Sequence, residues 1–250
     1  MLYEYNKVAV ILYHQDYLKN NPNGYCPNHS TNVKFNEEDI KKDFLLPLGG
    51  KEILVIKSEG FCPYCEKFKE DVSSLYNGSL PLRTVLASKL SKFDIKTELF
   101  ATPTILFIED GKEKISHRGY MDSKTFYKTL ANFKLGKDSE SYKVAFQNGT
   151  DGRFCKQYDI FKNTPDGVFV DKLSGDILFD TKDRFNSGTG WLSFYKAVDG
   201  STIEKDDLSY GMRRTEVIAK KSGIHLGHVF NEYGKRRFCI NATVLDFIKR

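Results

Sequence analysis

The chain has 250 residues, 40% of them apolar and 28% charged, which is enough for one or two hydrophobic cores of ordinary size. Its 38 lysines and arginines against 33 aspartates and glutamates leave a net charge of +5 with no basic block, so composition gives no sign of a nucleic-acid partner. The longest apolar runs, such as residues 8–12, are far too short to span a bilayer, and the N-terminus lacks the charged start and apolar core of a signal peptide. The location follows only conditionally: cytoplasmic if the chain is complete, periplasm or envelope if a signal peptide has been removed. Five cysteines are an odd number, unlike a paired structural framework, and their placement reads as working redox chemistry.

Residues 7–13 read as a buried strand, Asn20-Asn21-Pro22-Asn23-Gly24 as a turn, and residues 37–46 as a short helix running into Pro47. Cys26 lies near His29, but one cysteine and one histidine do not make a zinc site, so Cys26 reads as a structural or incidental thiol. Glu52-Ile53-Leu54-Val55-Ile56 is the continuous apolar run of a buried central strand. Cys62-Pro63-Tyr64-Cys65 follows and opens a helix, with Pro63 in a first-turn position that tolerates it. A helix N-terminus stabilises negative charge, so Cys62 is expected to ionise readily with Cys65 one turn inside. Ala101-Thr102-Pro103-Thr104 leads into a strand, a hairpin turn at Asp110-Gly111 and a second strand near Ile115. Phe126, Leu130 and Phe133 mark a last amphipathic helix. A CxxC can be half of a zinc site, but no second pair lies at the required spacing. Residues 50–134 resemble a thioredoxin-fold α/β domain, in which Pro103 matches the cis proline that faces the dithiol. Two departures stand out: Phe61 replaces the usual tryptophan, and Pro63-Tyr64 is the dipeptide of glutaredoxins. The inner dipeptide tunes redox potential, so the resemblance carries over dithiol chemistry but no particular potential. The hairpin and Gly119-Tyr120 are more similar to envelope thioredoxin-like proteins than to cytoplasmic ones. The first domain is thus assigned to residues 1–135.

Residues 136–141 are polar and read as a flexible linker, and a second domain spans residues 142–250. Short strands near residues 168–170, 176–179 and 215–218, with weak helical periodicity, predict a mainly antiparallel β fold. Near the C-terminus, Phe238, Ile240, Ala242 and Val244 alternate with other residues, which predicts a strand over residues 236–244. Period two then puts Arg237, Cys239 and Asn241 on one face. A guanidinium beside a thiol favours the thiolate, and the thiolate is the nucleophile. His225 and His228 lie just upstream, around Gly227, and imidazoles move protons near neutral pH.

Four motifs in order carry a further resemblance. Phe185-Asn186-Ser187-Gly188-Thr189-Gly190-Trp191-Leu192-Ser193-Phe194, Tyr210-Gly211-Met212-Arg213-Arg214-Thr215-Glu216-Val217, the histidine stretch and Arg237-Phe238-Cys239-Ile240-Asn241-Ala242 resemble methionine-R-sulfoxide reductases of the MsrB type. That resemblance implies a small β barrel. It also implies Cys239 as nucleophile on the sulfoxide sulfur, with His225, His228, Arg237 and Asn241 serving its oxygen. Substrate contact falls to Trp191, with Phe194 and Glu232 beside it, and the substrate is methionine sulfoxide, free or in oxidised proteins. Many relatives hold a structural zinc with two CxxC pairs. Here those positions read Asp171-Lys172-Leu173-Ser174 and Ala219-Lys220-Lys221-Ser222, so no metal and no cofactor beyond redox-active disulfides is expected. Some relatives place a resolving cysteine where this chain has Thr189. Others place it in the N-terminal part of the domain, where Cys155 stands. Cys62 and Cys65 would recycle the site, drawing on an upstream thiol reductant. A second reading is a general thiol-disulfide oxidoreductase whose C-terminal domain only binds clients.

Overall fold

The computed structural model describes residues 45–250 except Tyr233 and the Tyr210 side chain. Cys26, His29, the elements expected over residues 7–13 and 20–24 and all but the last two residues of the helix expected over residues 37–46 lie outside the described residues; Leu45 and Leu46 are not helical.

Strand β1 (Lys51–Lys57) is the centre of a four-stranded sheet with β2 (Leu82–Leu86), β3 (Thr104–Glu109) and β4 (Lys112–Arg118), ordered β2-β1-β3-β4. Its pairing with β2 is parallel and with β3 antiparallel. The uninterrupted apolar run of β1 has a direct cause: both faces are covered. Ile53 and Val55 enter one core cluster, and Leu54 and Ile56 enter the other. Helix α1 (Pro63–Phe68) begins at the CxxC and continues as a π turn over Lys69–Ser73. Helix α2 (Ser123–Leu135) buries Phe126, Leu130 and Phe133, the three residues whose spacing announced it. Asp122 caps it by accepting from the Thr125 amide at 2.9 Å.

The expected flexible linker is a tight corner between two capped helices. Gly136 ends α2 at φ 84°, its amide donating to the Asn132 carbonyl at 3.0 Å. Ser139 then caps α3 (Glu140–Phe146) by accepting from the Tyr142 amide at 3.1 Å. Small polar residues at a helix end and a helix start read as a linker in sequence because both ends prefer them. A second short helix, α4 (Lys156–Phe161), follows.

The remaining strands are β5 (Gly167–Asp171), β6 (Ile177–Asp180), β7 (Arg184–Phe185), β8 (Leu192–Phe194), β9 (Thr202–Asp207), β10 (Arg214–Ala219), β11 (His225–Glu232), β12 (Lys235–Ile240) and β13 (Leu245–Lys249). They form a six-stranded sheet, β7-β8-β12-β11-β10-β9, and a three-stranded one, β13-β5-β6, both antiparallel. The fold is mainly antiparallel as expected, but the sheets are open rather than closed into a barrel. Phe169, Phe179, Phe194 and Phe238 fill the space between them, with Phe179 stacked on Phe194 at 4.5 Å.

Residues 45–250 pack as one unit. The thioredoxin-like half meets the other half at the turn after the π helix and along α2. The Asn77 amide donates to the Ser174 carbonyl at 3.0 Å, and Lys221 Nζ donates to the Leu75 carbonyl at 2.8 Å. Lys134 reaches the Lys172 carbonyl and pairs with Asp246 at 3.7 Å. Backbone approaches backbone so closely here that a Cβ on Gly175, itself at φ 76°, would stand 2.0 Å from the Asn77 carbonyl oxygen.

Candidate active site

Two cysteine centres stand among the described residues. In the first, Cys62 and Cys65 are joined as a disulfide at the start of α1. Cys62 is the cap residue, and its sulfur accepts from the Cys65 amide at 3.1 Å. The Thr102–Pro103 peptide bond is cis, and Thr102 Oγ1 lies 3.5 Å from the Cys62 sulfur. Phe61 and Tyr64, next to and within the CxxC, are 86% and 63% exposed, and Phe100, two residues before Thr102, is 73% exposed.

The second centre is built on β11 and β12. Cys239 on β12 stands directly opposite His228 on β11, and on its other side opposite Ser193 on β8. Directly paired residues project to one face with Cβ atoms about 5 Å apart. His225, three residues before His228, would point to the opposite face of a regular strand. A bulge prevents this. Gly227 pairs with Val217 and His225 with Ile218, leaving Leu226 as the extra residue. The alternation is thereby reset, and the two imidazoles come together at 5.3 Å between ring centroids. Gly227 itself sits at φ 147°, where a Cβ would lie 2.1 Å from the Cys239 carbonyl oxygen.

Each imidazole is held by a carboxylate that the sequence reading did not single out. His225 Nδ1 lies 2.7 Å from Glu216 Oε1, and His228 Nε2 lies 2.8 Å from Asp207 Oδ2. Carboxylates only accept, so the bonded nitrogens carry the hydrogens. Asp207 also accepts from Arg214 at 2.7 Å and from the Ser209 amide at 2.9 Å. Hydrogen bonds from Ser209 first, then from His228, hold its carboxyl far below the usual range. His228 is pushed down by burial, against the pull of Asp207, and is neutral near pH 7. The signal for Asp207 was weak because it lies 21 residues upstream of its histidine; Glu216 was at least visible inside a motif.

The Cys239 thiol needs a correction. Burial pushes it up from the ordinary thiol range, and the Arg237 guanidinium and the Thr189 hydroxyl beside it offset that only in part. Desolvation outweighs the cation, so the resting group is a thiol rather than the expected thiolate. Arg237 is fixed by Glu232, which accepts from its Nε at 3.0 Å and its Nη2 at 2.7 Å. The Arg237 guanidinium also lies over the Phe230 ring at 4.9 Å. Glu232, placed by the sequence among the substrate contacts, thus orients Arg237. Phe194 does not reach the site at all. It is fully buried between Phe169 and Phe179 because period two turns it to the face opposite Ser193, and Ser193 is the β8 residue paired with Cys239.

The strand predicted over residues 236–244 ends at Ile240. Ala242–Val244 is a 3-10 turn, yet Asn241 still belongs to the site. Its Oδ1 accepts from the Asp151 amide at 2.9 Å, while Trp191 Nε1 donates to the Asp151 carbonyl at 2.9 Å. Asp151 in turn accepts from the Thr243 amide at 3.0 Å. This buried aspartate ties the Trp191 loop, Asn241 and the Cys155 segment into one cluster. Cys155 caps α4, its sulfur accepting from the Tyr158 amide at 3.4 Å and donating to Asp151 Oδ2 at 3.9 Å. Burial pushes its thiol up as well. The Phe154 amide donates to the Gly190 carbonyl at 2.9 Å and Arg153 Nε to the Thr189 carbonyl at 2.9 Å, so the Cys155 segment lies against the loop whose Thr189 flanks Cys239. Cys155 and Cys239 are both free thiols.

The positions that carry zinc ligands in many relatives do not fit that metal. Asp171, Ser174 and Ser222 offer oxygens rather than thiolates, and Asp171 Oδ1 is already taken by the Leu173 and Ser174 amides at 2.8 and 3.2 Å. Among the described residues no group of three histidine, cysteine or acidic side chains is placed to hold a metal ion, and no helix is long and apolar enough to cross a membrane.

A CxxC pair on a helix start, together with a free thiol opposite one of two paired imidazoles and a second free thiol in the segment against its loop, defines a thiol-based oxidoreductase. Residues 138–249 match the SelR domain and residues 45–134 match the thioredoxin-like domain. The C-terminal domain therefore belongs to the SelR family, the methionine-R-sulfoxide reductases, and a thioredoxin-like domain precedes it in the same chain. Among solved structures the chain is similar to the periplasmic thioredoxin SoxS from Paracoccus pantotrophus in its reduced form. The identity is 16% and the TM-score 0.30, over 35% of this chain and 99% of that one.

Proposed function

We propose that the chain reduces methionine R-sulfoxide, free or within proteins, in three thiol steps that run from Cys239 to Cys155 to the Cys62–Cys65 pair. The observation that carries this reading is the pairing of Cys239 with His228 across β12 and β11, next to the Arg237 guanidinium. A neutral His228 with its hydrogen on Nε2 presents a lone pair at Nδ1 and can accept the Cys239 proton. The thiolate attacks the sulfoxide sulfur, and the imidazolium returns the proton to the sulfoxide oxygen. That oxygen passes to Cys239 as a sulfenic acid, and methionine leaves with its sulfur reduced by two electrons. His225, fixed by Glu216, and Asn241, fixed by Asp151, orient the oxygen. The apolar face of Trp191 receives the methyl group.

Cys155 then attacks the Cys239 sulfur. A Cys155–Cys239 disulfide forms, and the hydroxyl leaves as water with the Cys155 proton. Reduced Cys62 and Cys65 return both sulfurs to thiols and become a disulfide themselves, which an upstream dithiol reductant reduces in turn. The scheme uses no metal and no organic cofactor. Its division of labour puts a helix corner and residues 136–139 between a recycling domain of residues 45–135 and a reductase domain that starts with α3. The test is to supply the full chain with racemic methionine sulfoxide and dithiothreitol and to separate the epimers. The R epimer should disappear and the S epimer remain; an untouched R epimer overturns the reading.

A further inference from the structure

The Cys62–Cys65 pair sits at the end of its helix remote from the contact with the reductase half. The thioredoxin-like half is fastened to the reductase half through Leu75, Asn77 and α2, by the bonds to Ser174, Lys221, Lys172 and Asp246. Cys62 lies at the other end of the continuous helix that starts at Pro63 and ends at Ser73. At about 1.5 Å per residue, that helix puts on the order of 15 Å between the dithiol and the fastened end. The dithiol's rim of Phe61, Tyr64 and Phe100 is in solvent, so nothing from the chain's own reductase half covers it. The Cys155 side is open too, with Phe154 and Ile160 52% and 54% exposed.

The fastening is not a loose tether. Phe68, Phe126 and Phe133 belong to the same core cluster as Leu173, Leu226 and Val244, and the connection at Gly136 and Ser139 is capped on both sides. Swinging the dithiol round to its own Cys155 would open that shared core and leave the polar groups of the Asn77–Ser174 and Lys221–Leu75 bonds unpaired. The surface that the dithiol can meet without this cost is the same disulfide on another molecule.

We propose that electrons pass between two copies of this chain: the Cys62–Cys65 dithiol of one copy reduces the Cys155–Cys239 disulfide of a second, with Phe61, Tyr64 and Phe100 as the contact rim. The inference rests on the proposed reductase cycle. In the transfer, Cys62 as thiolate attacks one sulfur of that disulfide and a mixed disulfide joins the copies. Cys65 then attacks Cys62, releasing the second copy with two thiols, so that two electrons and two protons move from one copy to the other. Each copy's own disulfide is afterwards reduced by the upstream dithiol.

The test uses full-length chains without added reductant. A donor carrying Cys239→Ser is reduced and freed of reductant. An acceptor carrying Cys62→Ser and Cys65→Ser is treated with one equivalent of methionine R-sulfoxide. Failure of the acceptor to form the Cys155–Cys239 disulfide contradicts the reductase cycle itself. With that disulfide in place, mixing should restore both acceptor thiols at a rate proportional to donor concentration, as followed by alkylation and mass spectrometry. The unmodified chain, fully reduced and then given one equivalent of the R-sulfoxide, should move its disulfide to Cys62–Cys65 tenfold more slowly for each tenfold dilution. No transfer in the mixture, or a rate in the unmodified chain that does not change with dilution, overturns exchange between copies.

Discussion

Cys239 and His228 face each other across the β11–β12 ladder, and the bulge at Leu226 brings His225 to the same side. This relationship sets the chemistry, because neither partner alone is poised. The thiol is raised by burial and the imidazole is lowered by it. The acid form of Cys239 and the base form of His228 therefore coexist near neutral pH, the pair of states from which proton transfer can start.

The pH dependence of kcat/KM should carry an alkaline limb from Cys239 above the ordinary thiol range, since its folded-state value is raised. Arg237 acts in the opposite direction, so Arg237→Gln removes a lowering influence and should move that limb to still higher pH. At pH 7 the variant should then be slower by about tenfold for each pH unit of displacement. A limb that moves to lower pH would mean that the guanidinium does not act on this thiol.

His228 should titrate below the usual histidine range in the intact protein, as followed by NMR of its ring. Asp207 pulls it upward, so Asp207→Asn should lower it further and free the ring's orientation. A loss of about tenfold to a thousandfold in kcat matches removal of a group that fixes a base's tautomer and aim. An upward shift of His228 in this variant would contradict the assignment.

Gly227→Ala should destabilise the fold by on the order of 2 kcal/mol or more, for two reasons that add. The backbone at φ 147° suits only glycine, and the new methyl would meet the Cys239 carbonyl oxygen. Denaturant unfolding measures this directly. A variant as stable as the parent would show that β11 and β12 do not approach so closely.

Cys155→Ser should still release one methionine per chain in a single turnover, because the attack on the sulfoxide uses only Cys239. Turnover driven by the Cys62–Cys65 pair should fall by at least about a hundredfold, the scale of a lost nucleophile. Undiminished turnover would assign resolution of the sulfenic acid to Cys62 instead of Cys155.

Much of this was legible in the sequence where the signal was local. The CxxC on its helix start, the strand ahead of it and the α2 stripe each lie within one element, and period rules read them correctly. Cys239 and the two histidines were singled out in the sequence through strand alternation, spacing and motif. What escaped was set by partners far apart in the chain. Asp207 becomes visible only once β9 and β11 flank β10. Phe194 carries a motif position but turns inward, because the face of β8 is fixed by its pairing with β12. Helices α3 and α4, at seven and six residues, are too short for periodicity to rise above the background. Residues 136–139 look like a tether because caps and linkers share the same small polar residues.

The central claim is that Cys239 takes the oxygen of methionine R-sulfoxide. The most direct measurement gives one equivalent of the pure R epimer to a reduced chain carrying Cys155→Ser, Cys62→Ser and Cys65→Ser, in which Cys239 is the only described cysteine left. The account predicts one methionine released per chain, together with one added oxygen or a dimedone adduct on the peptide containing Cys239. Adding Cys239→Ser should remove both signals. Methionine release that survives Cys239→Ser, or oxygen found on another residue, would contradict it.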